Sequence, residues 1–378
     1  MEVKQIDSLT QVAAADWNQL TGCDYPFLRH EFLSALEQSA VVCQQTGWLP
    51  AHLLVTDQGE LLALLPLYLK QHSWGEYVFD QQWAQAYQQK GLDYYPKWLS
   101  AIPFTPCQGL RLVIKPGTDP LAISRLLLSF IERLSEQRGV SSWHCLFPAE
   151  QQAELLRSQG LSIREGVQFQ WLNRGYRDFG DFLQTLNAGK RKMIKRERRR
   201  VGEQGIQMIR IAGPDVSDAQ WQSFYRFYAM TYLKRQSQPY LNLDFFRQLA
   251  ANMAEQLLLI LALKDDDYVG AALSFVGADT LYGRYWGCYE EYNALHFEAC
   301  YYQGLEYCIE RGLRRFDSGA QGEHKIARGF EPVTTYSAHW LKDAGFAKAV
   351  AQFVAREQTA LKHYKQEAAT YLPFKQTN

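Results

Sequence analysis

The sequence predicts a mixed α/β protein of two lobes, each with a mixed, mostly antiparallel sheet flanked by helices. Three observations support this prediction: the length of 378 residues, apolar runs separated by very short turns, and an order of elements that occurs twice. A chain of this length is typical of two domains of roughly 100–200 residues each. Turns of two or three residues connect antiparallel strands, because parallel strands need a much longer crossover.

The first lobe is assigned to residues 1–173. Its predicted elements are a helix over 31–39, strands over 52–55 and 61–69, a helix over 121–136, a strand over 140–147, a helix over 150–158 and a strand over 167–172. Asp57-Gln58-Gly59 is the turn signal that makes the first two strands a hairpin. An insertion rich in aromatic residues fills 71–118. It is too long for a structureless loop, so we expect it to line a functional surface.

The second lobe is assigned to residues 174–378 and repeats the order helix, antiparallel strands, helix, strand, helix, strand. Its predicted elements are a basic helix over 179–201, a strand over 206–211, helices that begin near Ser217 and Asn242, strands over 257–263, 269–276 and 281–289, a helix over 295–311, strands over 314–317 and 334–340, and a helix over 344–364. The turns at 265–267 and 278–279 are short, so the three middle strands should form an antiparallel meander.

Charge is balanced overall but concentrated locally. Lys+Arg and Asp+Glu both number 40, yet residues 190–200 hold eight basic residues and one acid. The sequence therefore predicts a mildly acidic body that carries one cationic helix. The seven cysteines show no regular spacing, and the apolar runs are far shorter than the roughly 20 residues of a membrane span. These features favour a cytoplasmic protein without disulfides, membrane span or metal site.

Several strings carry a resemblance to a known family. They are Gly75-Glu76-Tyr77-Val78-Phe79-Asp80, Tyr94-Tyr95-Pro96-Lys97, Pro103-Phe104-Thr105-Pro106, residues 190–200, Tyr282-Gly283-Arg284-Tyr285-Trp286-Gly287, residues 295–303 and residues 319–325. Together they resemble the bacterial GNAT-related family named for peptidoglycan biosynthesis and recognition, a distant relative of the Fem aminoacyltransferases. The order of elements likewise resembles the GNAT acetyltransferase fold, present twice.

The resemblance implies tandem GNAT lobes that form an amide on an amine acceptor, a small molecule or a peptide. Fem enzymes take the aminoacyl group from charged tRNA, whereas other GNAT enzymes take an acetyl group from acetyl-CoA. In the CoA-dependent enzymes a glycine-rich loop holds the pyrophosphate. Here the corresponding residues 289–295 contain no glycine and two acids, which would repel phosphate. We expect no tightly bound cofactor. The acyl donor remains open between charged tRNA and acetyl-CoA.

The catalytic candidates are Glu323, His324 and Lys325, which follow two glycines in the turn that begins at Gly319. Glycines permit close approach of the backbone to a ligand. An amine must lose a proton during acyl transfer, so His324 or Glu323 could act as the general base, and Lys325 could stabilise a developing oxyanion. The alternative is a helix start with its own charges, which needs no ligand.

The binding candidates fall into two sets. Predicted to bind the substrate are Arg284, Trp286, Glu298, Tyr302, Gln321, Tyr94, Tyr95 and Lys97. Predicted to bind phosphate groups of the donor are Lys190, Arg191, Lys195, Arg196, Arg198 and Arg199. A structural explanation stays open for both sets. The substrate-binding candidates could instead form a polar stripe, an ion pair or aromatic core packing, and the phosphate-binding candidates could be a solvated helix end.

Three functions therefore remain open. The first is an aminoacyl- or acyltransferase related to peptidoglycan precursors, the second is an acetyl-CoA-dependent N-acetyltransferase, and the third is a non-catalytic binder of cell-wall precursors. The sequence contains no GxSxG, HExxH, P-loop or GxGxxG string, which argues against hydrolase, zinc-protease, NTPase and dinucleotide-binding functions.

Overall fold

A computed structural model describes residues 1–320 and 322–375. Its helices are α1 (Ala14–Thr21), α2 (His30–Gln38), α3 (Gln81–Gln89), α4 (Pro120–Arg138), α5 (Glu150–Ser158), α6 (Phe179–Thr185), α7 (Ala188–Glu203), α8 (Asp218–Leu233), α9 (Leu243–Asn252), α10 (Leu295–Phe297), α11 (Gln303–Arg311) and α12 (Ala344–Thr370). Within these described residues, each helix is too short or too polar to cross a membrane.

The strands alternate with these helices along the chain. They are β1 (Glu2–Ile6), β2 (Trp48–Pro50), β3 (His52–Asp57), β4 (Glu60–Leu65), β5 (Tyr68–Lys70), β6 (Lys97–Ser100), β7 (Val113–Ile114), β8 (Ser142–Leu146), β9 (Ser162–Leu172), β10 (Gln207–Ala212), β11 (Leu257–Lys264), β12 (Asp267–Val276), β13 (Thr280–Cys288), β14 (Arg315–Asp317) and β15 (Glu331–Leu341).

The chain forms two compact units. Unit 1 comprises Met1–Val167 and Thr334–Tyr364, and unit 2 comprises Gln168–Val333 and the described residues from Lys365 onward. The first boundary lies six residues before the one assigned from the sequence. Most of β15 and of α12 belongs to unit 1, although the sequence analysis assigned both elements to the second lobe.

Unit 1 contains a small sheet of order β1-β3-β4-β7, in which all neighbours are antiparallel. Its other strands follow the order β15-β8-β6-β5-β2, where β6 and β8 are parallel and the remaining neighbours are antiparallel. The crossover between β6 and β8 contains α4. Asp119 caps this helix by accepting a hydrogen bond from the Leu121 amide, and Ile123, Leu127 and Ile131 lie on one face that packs into the core of unit 1.

Unit 2 contains the strand order β10-β11-β12-β13-β14, to which residues 170–172 of β9 add an antiparallel neighbour. Strands β10 to β13 are antiparallel, and β14 runs parallel to β13 after the helical crossover of residues 295–311. The predicted meander is thereby confirmed. Helix α8 approaches β13 at Gly287, where an added Cβ would lie 1.9 Å from the Phe227 carbonyl oxygen, so only glycine permits this packing.

The structure differs from the predictions at the basic helix. A single helix was expected over 179–201, but the helix ends at Thr185 and a new one begins at Ala188. Leu186 and Asn187 have extended backbones, and the Asn187 side chain caps α7 by accepting from the Lys190 amide. The apolar spacing continues across this break and therefore conceals it.

Candidate active site in unit 2

The candidate site begins where two parallel strands of unit 2 separate. β13 and β14 pair only from Thr280 with Arg315 to Tyr282 with Asp317. β13 continues to Cys288, whereas β14 ends at Asp317 and the backbone turns away at Ser318. On its opposite edge β13 stays paired with β12, with a register shift that leaves Arg284 as an extra residue between Gly283 and Tyr285. The separation leaves the backbone of β13 beyond Tyr282 without pairing to β14.

The turn after β14 is held from two sides. Asp317 accepts a hydrogen bond from the Gly319 amide at 3.0 Å, and the buried Lys325 ammonium donates to the carbonyl oxygens of Ser318 and Gly319 at 3.1 and 2.6 Å. Gly319 has a φ of +93°, which favours glycine. A Cβ at this position would lie 3.8 Å from Nη1 of Arg284. The turn therefore faces Arg284, and Lys325 fixes the backbone of that turn.

His324 and Glu323 begin a 3-10 helix, Glu323–Arg328, and both are exposed. Nε2 of His324 lies 2.8 Å from the hydroxyl oxygen of Tyr301. Partial burial, with help from the nearby Arg328 and Lys325 cations, lowers the pKa of His324 below its usual value. At neutral pH the imidazole is therefore uncharged, which is the state that can accept a proton.

The central helix of unit 2 contains a π-helical turn, Glu298–Tyr302, between α10 and α11. Such turns are rare and occur frequently at functional sites. Glu298 is buried, and its carboxylate accepts from Nε of Arg198 at 3.2 Å and from Nε2 of Gln303 at 2.8 Å. Arg198 also donates to Glu306 at 3.1 Å. Two predicted binding residues, Glu298 and Arg198, are thus partners of each other.

A second buried group lies beside this pair. Tyr302 is fully buried, and its hydroxyl donates to Glu197 and accepts from Nε of Arg328 at 2.9 Å. Arg328 pairs with Glu197 at 2.8 Å, donates to the His324 carbonyl oxygen at 2.7 Å and lies 3.5 Å from the centre of the Phe297 ring. Burial raises the pKa of Tyr302 far above its usual value, so its hydroxyl stays protonated. Tyr302 therefore holds α7 and the His324 segment in place.

Helix α7 presents two different faces. Its inner face carries the buried Ile194 and Val201 together with Glu197 and Arg198. The outer face consists of exposed cations: Lys192, Lys195, Arg196, Arg199 and Arg200. Arg199 pairs with Glu203 of the same helix. Among the described residues, Lys192, Lys195 and Arg196 form no ion pair, while Lys190 and Arg191 are half-buried near the start of the helix.

The remaining predicted residues of unit 2 are placed as follows. Trp286 is half-buried and packs on the cluster of Val201, Ile206, Ala262 and Leu295, with its ring 5.8 Å from that of His296. Residues 289–294 form the turn before α10, in which Glu290 and Glu291 are exposed. The Gln204 side chain binds this turn through both the amide and the carbonyl of Asn293, each at 3.0 Å. Gln321 lies outside the described residues.

Tyr94, Tyr95 and Lys97 lie in unit 1 and form a buried network. The Lys97 ammonium is fully buried and donates to Glu76 at 2.7 Å, to Ser73 at 2.8 Å and to Asp80. The Tyr94 hydroxyl donates to Asp80 at 2.6 Å, and the Tyr95 hydroxyl lies 2.8 Å from Ser73. Burial is the largest single influence on the pKa of Lys97 and lowers it, but the charges and hydrogen bonds of the two carboxylates together outweigh burial and raise this pKa, so the ammonium stays charged.

Sequence reasoning missed several residues of these networks. Glu197, Tyr301 and Arg328 make the contacts that hold the His324 segment, and Glu76 and Asp80 hold Lys97. Burial of their charged groups depends on distant segments, which no local spacing indicates. Among residues 1–320 and 322–375, the acidic, histidine and cysteine side chains form no group of three or more that could hold a metal ion.

The sequence matches the FemAB_like family, described as peptidoglycan biosynthesis/recognition, over residues 8–376. None of the curated proteins matches it. The fold is similar to that of FemX, with a TM-score of 0.53, 11% identity and coverage of 93% of this chain and 100% of the other.

Two further solved structures are similar at the same level. One is the C-terminal domain of a putative lysylphosphatidylglycerol synthetase from Agrobacterium fabrum. Its TM-score is 0.54 and its identity 10%, and the match covers 89% of this chain and 94% of the other. The other is a conserved protein of unknown function from Bacteroides thetaiotaomicron. Its TM-score is 0.51 and its identity 11%, and the match covers 90% of this chain and 100% of the other. At these identities the likeness shows the fold, which is the predicted tandem GNAT fold.

The family match spans nearly all of the chain. The predicted resemblance is therefore confirmed, and the coarse function is that of a peptidoglycan-related transferase. The chain belongs to the FemAB_like family of peptidoglycan biosynthesis and recognition.

Proposed function

We propose that this protein is an acyltransferase that forms an amide on an amine acceptor, with its chemistry in unit 2. The observation that carries the proposal is the exposed, uncharged His324 beside the point where β13 and β14 separate. A base that is neutral at pH 7 and reaches solvent suits deprotonation of an incoming amine. Backbone amides of β13 beyond Tyr282, where pairing with β14 has ended, suit a carbonyl oxygen that becomes negatively charged.

In the proposed mechanism the amine attacks the acyl carbonyl directly. His324 takes the amine proton, Tyr301 orients the imidazole through its hydrogen bond, and backbone N–H groups of β13 stabilise the tetrahedral oxyanion. Collapse of this intermediate breaks the ester bond between the acyl carbon and the donor oxygen, and the proton held by His324 passes to that leaving oxygen. Glu323 is the alternative base, because it is exposed on the same 3-10 helix. Lys325 acts on the reaction through the backbone, since its ammonium holds the carbonyl oxygens of Ser318 and Gly319.

We propose an aminoacyl-tRNA as the donor. The exposed cations of α7 would contact phosphate groups, and the turn that would hold the CoA pyrophosphate carries Glu290 and Glu291 instead of glycines. The similar structure from Agrobacterium fabrum is named a putative lysylphosphatidylglycerol synthetase, and a lysyl product is compatible with an aminoacyl donor. The acceptor is an amine of a peptidoglycan precursor, in keeping with the family.

The seven cysteines are free thiols, which supports a reducing cytoplasmic setting.

Turnover tests the proposal. The protein is incubated with a peptidoglycan-precursor peptide that bears a free amine and with either labelled aminoacyl-tRNA or labelled acetyl-CoA, and labelled amide is measured. His324→Gln should lower turnover by roughly 10²–10⁴, while the control His363→Gln, at an exposed histidine of α12, should not change it. Transfer from acetyl-CoA would support the N-acetyltransferase alternative. Binding of the peptide without transfer from either donor would support the non-catalytic alternative.

A further inference from the structure

The insertion of unit 1 exposes aromatic rings that a folded protein normally buries. Trp74 is 69% exposed, Phe79 is 64% exposed and Tyr77 is 37% exposed, and all three lie within six residues of one loop. Other aromatic residues of the same insertion are buried, among them Trp83, Tyr87 and Trp98. Exposed aromatic clusters of this kind commonly mark a binding surface.

Residues 71–89 carry no exposed charged side chain. The two charged residues of this segment, Glu76 and Asp80, are both buried. Its other exposed side chains include Gln81, Gln82 and Gln85 on α3. Since 21% of the whole sequence is charged, a segment of this length that exposes aromatic rings and amides alone is unusual.

The loop is fastened beneath its exposed rings. Lys70 donates to the carbonyl oxygen of Trp74 at 3.3 Å, and Arg164 donates to that of Phe79 at 2.7 Å. Lys97 also holds the carboxylates of Glu76 and Asp80. A loop fixed at four positions loses little conformational entropy when a ligand binds to its side chains.

The backbone of the loop also departs from its preferred conformations. Tyr77 has a φ of +62°, in the left-handed region that residues with a side chain seldom adopt. Strain of this kind persists where the surroundings hold it, and the buried contacts of Glu76 and Asp80 flank Tyr77 on either side. The ionic network therefore fixes a strained loop that displays aromatic rings.

We propose that residues 71–89 form a saccharide-binding surface, here named the aromatic platform. Rings of Trp and Phe stack against the C–H faces of sugars, and glutamine amides can both donate to and accept from hydroxyl and acetamido groups. The lack of exposed charge disfavours anionic lipids and nucleic acids, whose binding depends on cations. The ligand class is a neutral oligosaccharide of N-acetylated amino sugars.

This inference goes beyond the proposed function, because it adds a sugar ligand on unit 1 to the reaction proposed for unit 2. In its choice of an amino sugar it rests on the family's connection with peptidoglycan. The evidence for the platform itself is the exposure of its rings, its lack of exposed charged side chains and the contacts that hold the loop. Its binding of a sugar can be measured without any acyl donor. Failure of one proposal therefore leaves the other open to its own test.

The experiment measures binding of the tetrasaccharide of N-acetylglucosamine to the full-length protein by titration calorimetry and saturation-transfer NMR. The double variant Trp74→Ala/Phe79→Ala should weaken binding by roughly tenfold or more. Both side chains are exposed, so we expect thermal unfolding to stay unchanged. Tyr371→Ala removes an equally exposed aromatic residue outside the platform and should bind as the unchanged protein does.

Three results would overturn the inference. The first is no binding of the tetrasaccharide up to about 10 mM, a concentration that detects even weak sugar binding. The second is equal binding by the double variant and the unchanged protein. The third is binding to vesicles of phosphatidylcholine or phosphatidylglycerol that the double variant loses while the tetrasaccharide has no effect, because this would assign the rings to a membrane surface.

Discussion

Arg198 on α7 and Glu298 in the π-helical turn are joined by a charge-assisted contact, with Nε of the arginine 3.2 Å from each carboxylate oxygen. Glu298 is almost completely buried, so loss of Arg198 would leave a buried carboxylate without its cation. Two residues predicted to bind different ligands thus stabilise each other, and together they fix the helix that carries Tyr301 toward His324.

Replacement of Arg198 by Met should destabilise unit 2. The change leaves Glu298 buried without its cation, which costs about 3–5 kcal/mol for a fully buried pair. Because the Arg198 side chain is 26% exposed, we expect about 2–4 kcal/mol. Urea unfolding measures this loss. Arg199→Met breaks an exposed pair with Glu203 and should cost less than about 1 kcal/mol. Equal losses of unfolding free energy in the two variants would contradict a structural role of the Arg198–Glu298 pair.

The pH dependence of turnover should report His324. The pKa of this imidazole lies below 6.5, so the group is uncharged above that pH and gains a proton as the pH falls through its lowered pKa. Turnover should therefore be flat between about pH 7 and 8 and decline only in more acidic buffer. His324→Gln should remove the acidic decline along with most of the rate. A decline that begins above pH 7 would assign the titration to another group.

The outer face of α7 should determine the salt dependence of donor binding. Replacement of Lys192, Lys195 and Arg196 by Gln removes three exposed cations, each of which should contribute roughly 0.7–0.9 to the slope of log affinity against log salt. A matched control changes Lys348, Arg356 and Lys362, three exposed cations of α12. Binding titrations of aminoacyl-tRNA at several salt concentrations measure both slopes. If the two triple variants show the same slope, α7 does not contact the donor.

Glu76 should make the stability of unit 1 depend on pH. Burial raises the pKa of Glu76 from 4.5 to about 7, although Lys97 opposes this shift. Between these values the folded state binds more protons than the unfolded state, so the contribution of Glu76 to stability falls as the pH rises from 4.5 to 7. Glu76→Gln should remove this part of the pH dependence. Unfolding midpoints in urea at pH 5, 6 and 7 test it, and parallel curves for the two proteins would contradict the raised pKa.

Local signals predicted the elements of the fold well. The Asp57-Gln58-Gly59 turn and the short turns of the meander specify antiparallel neighbours without reference to distant residues, and the structure contains both. The pairing of β15 with β8 was not predictable in this way. These strands are separated by nearly 200 residues, and the alternation of side chains within a strand does not identify its partner.

The site was predictable in part. His324 is exposed next to a glycine turn, as its sequence context suggests, whereas Arg198 was taken for a phosphate ligand. Helical spacing could have placed Arg198 correctly, since Ile194, Arg198 and Val201 are separated by four and three residues and share the inner face. The contacts of Lys97 with Glu76 and Asp80 could not be read from the sequence, because buried ion pairs leave no periodic pattern.

The discontinuity of unit 1 has a consequence for synthesis on the ribosome. Residues 334–364 belong to unit 1 and supply the strand that pairs with β8, yet they are translated after almost all of unit 2. Until they emerge, β8 presents an unpaired edge on the side of β15, and such edges promote aggregation. The nascent chain therefore completes unit 1 only after residues 168–333 of unit 2 have been made. A circular permutant that begins near residue 334 would supply this strand at the start of translation.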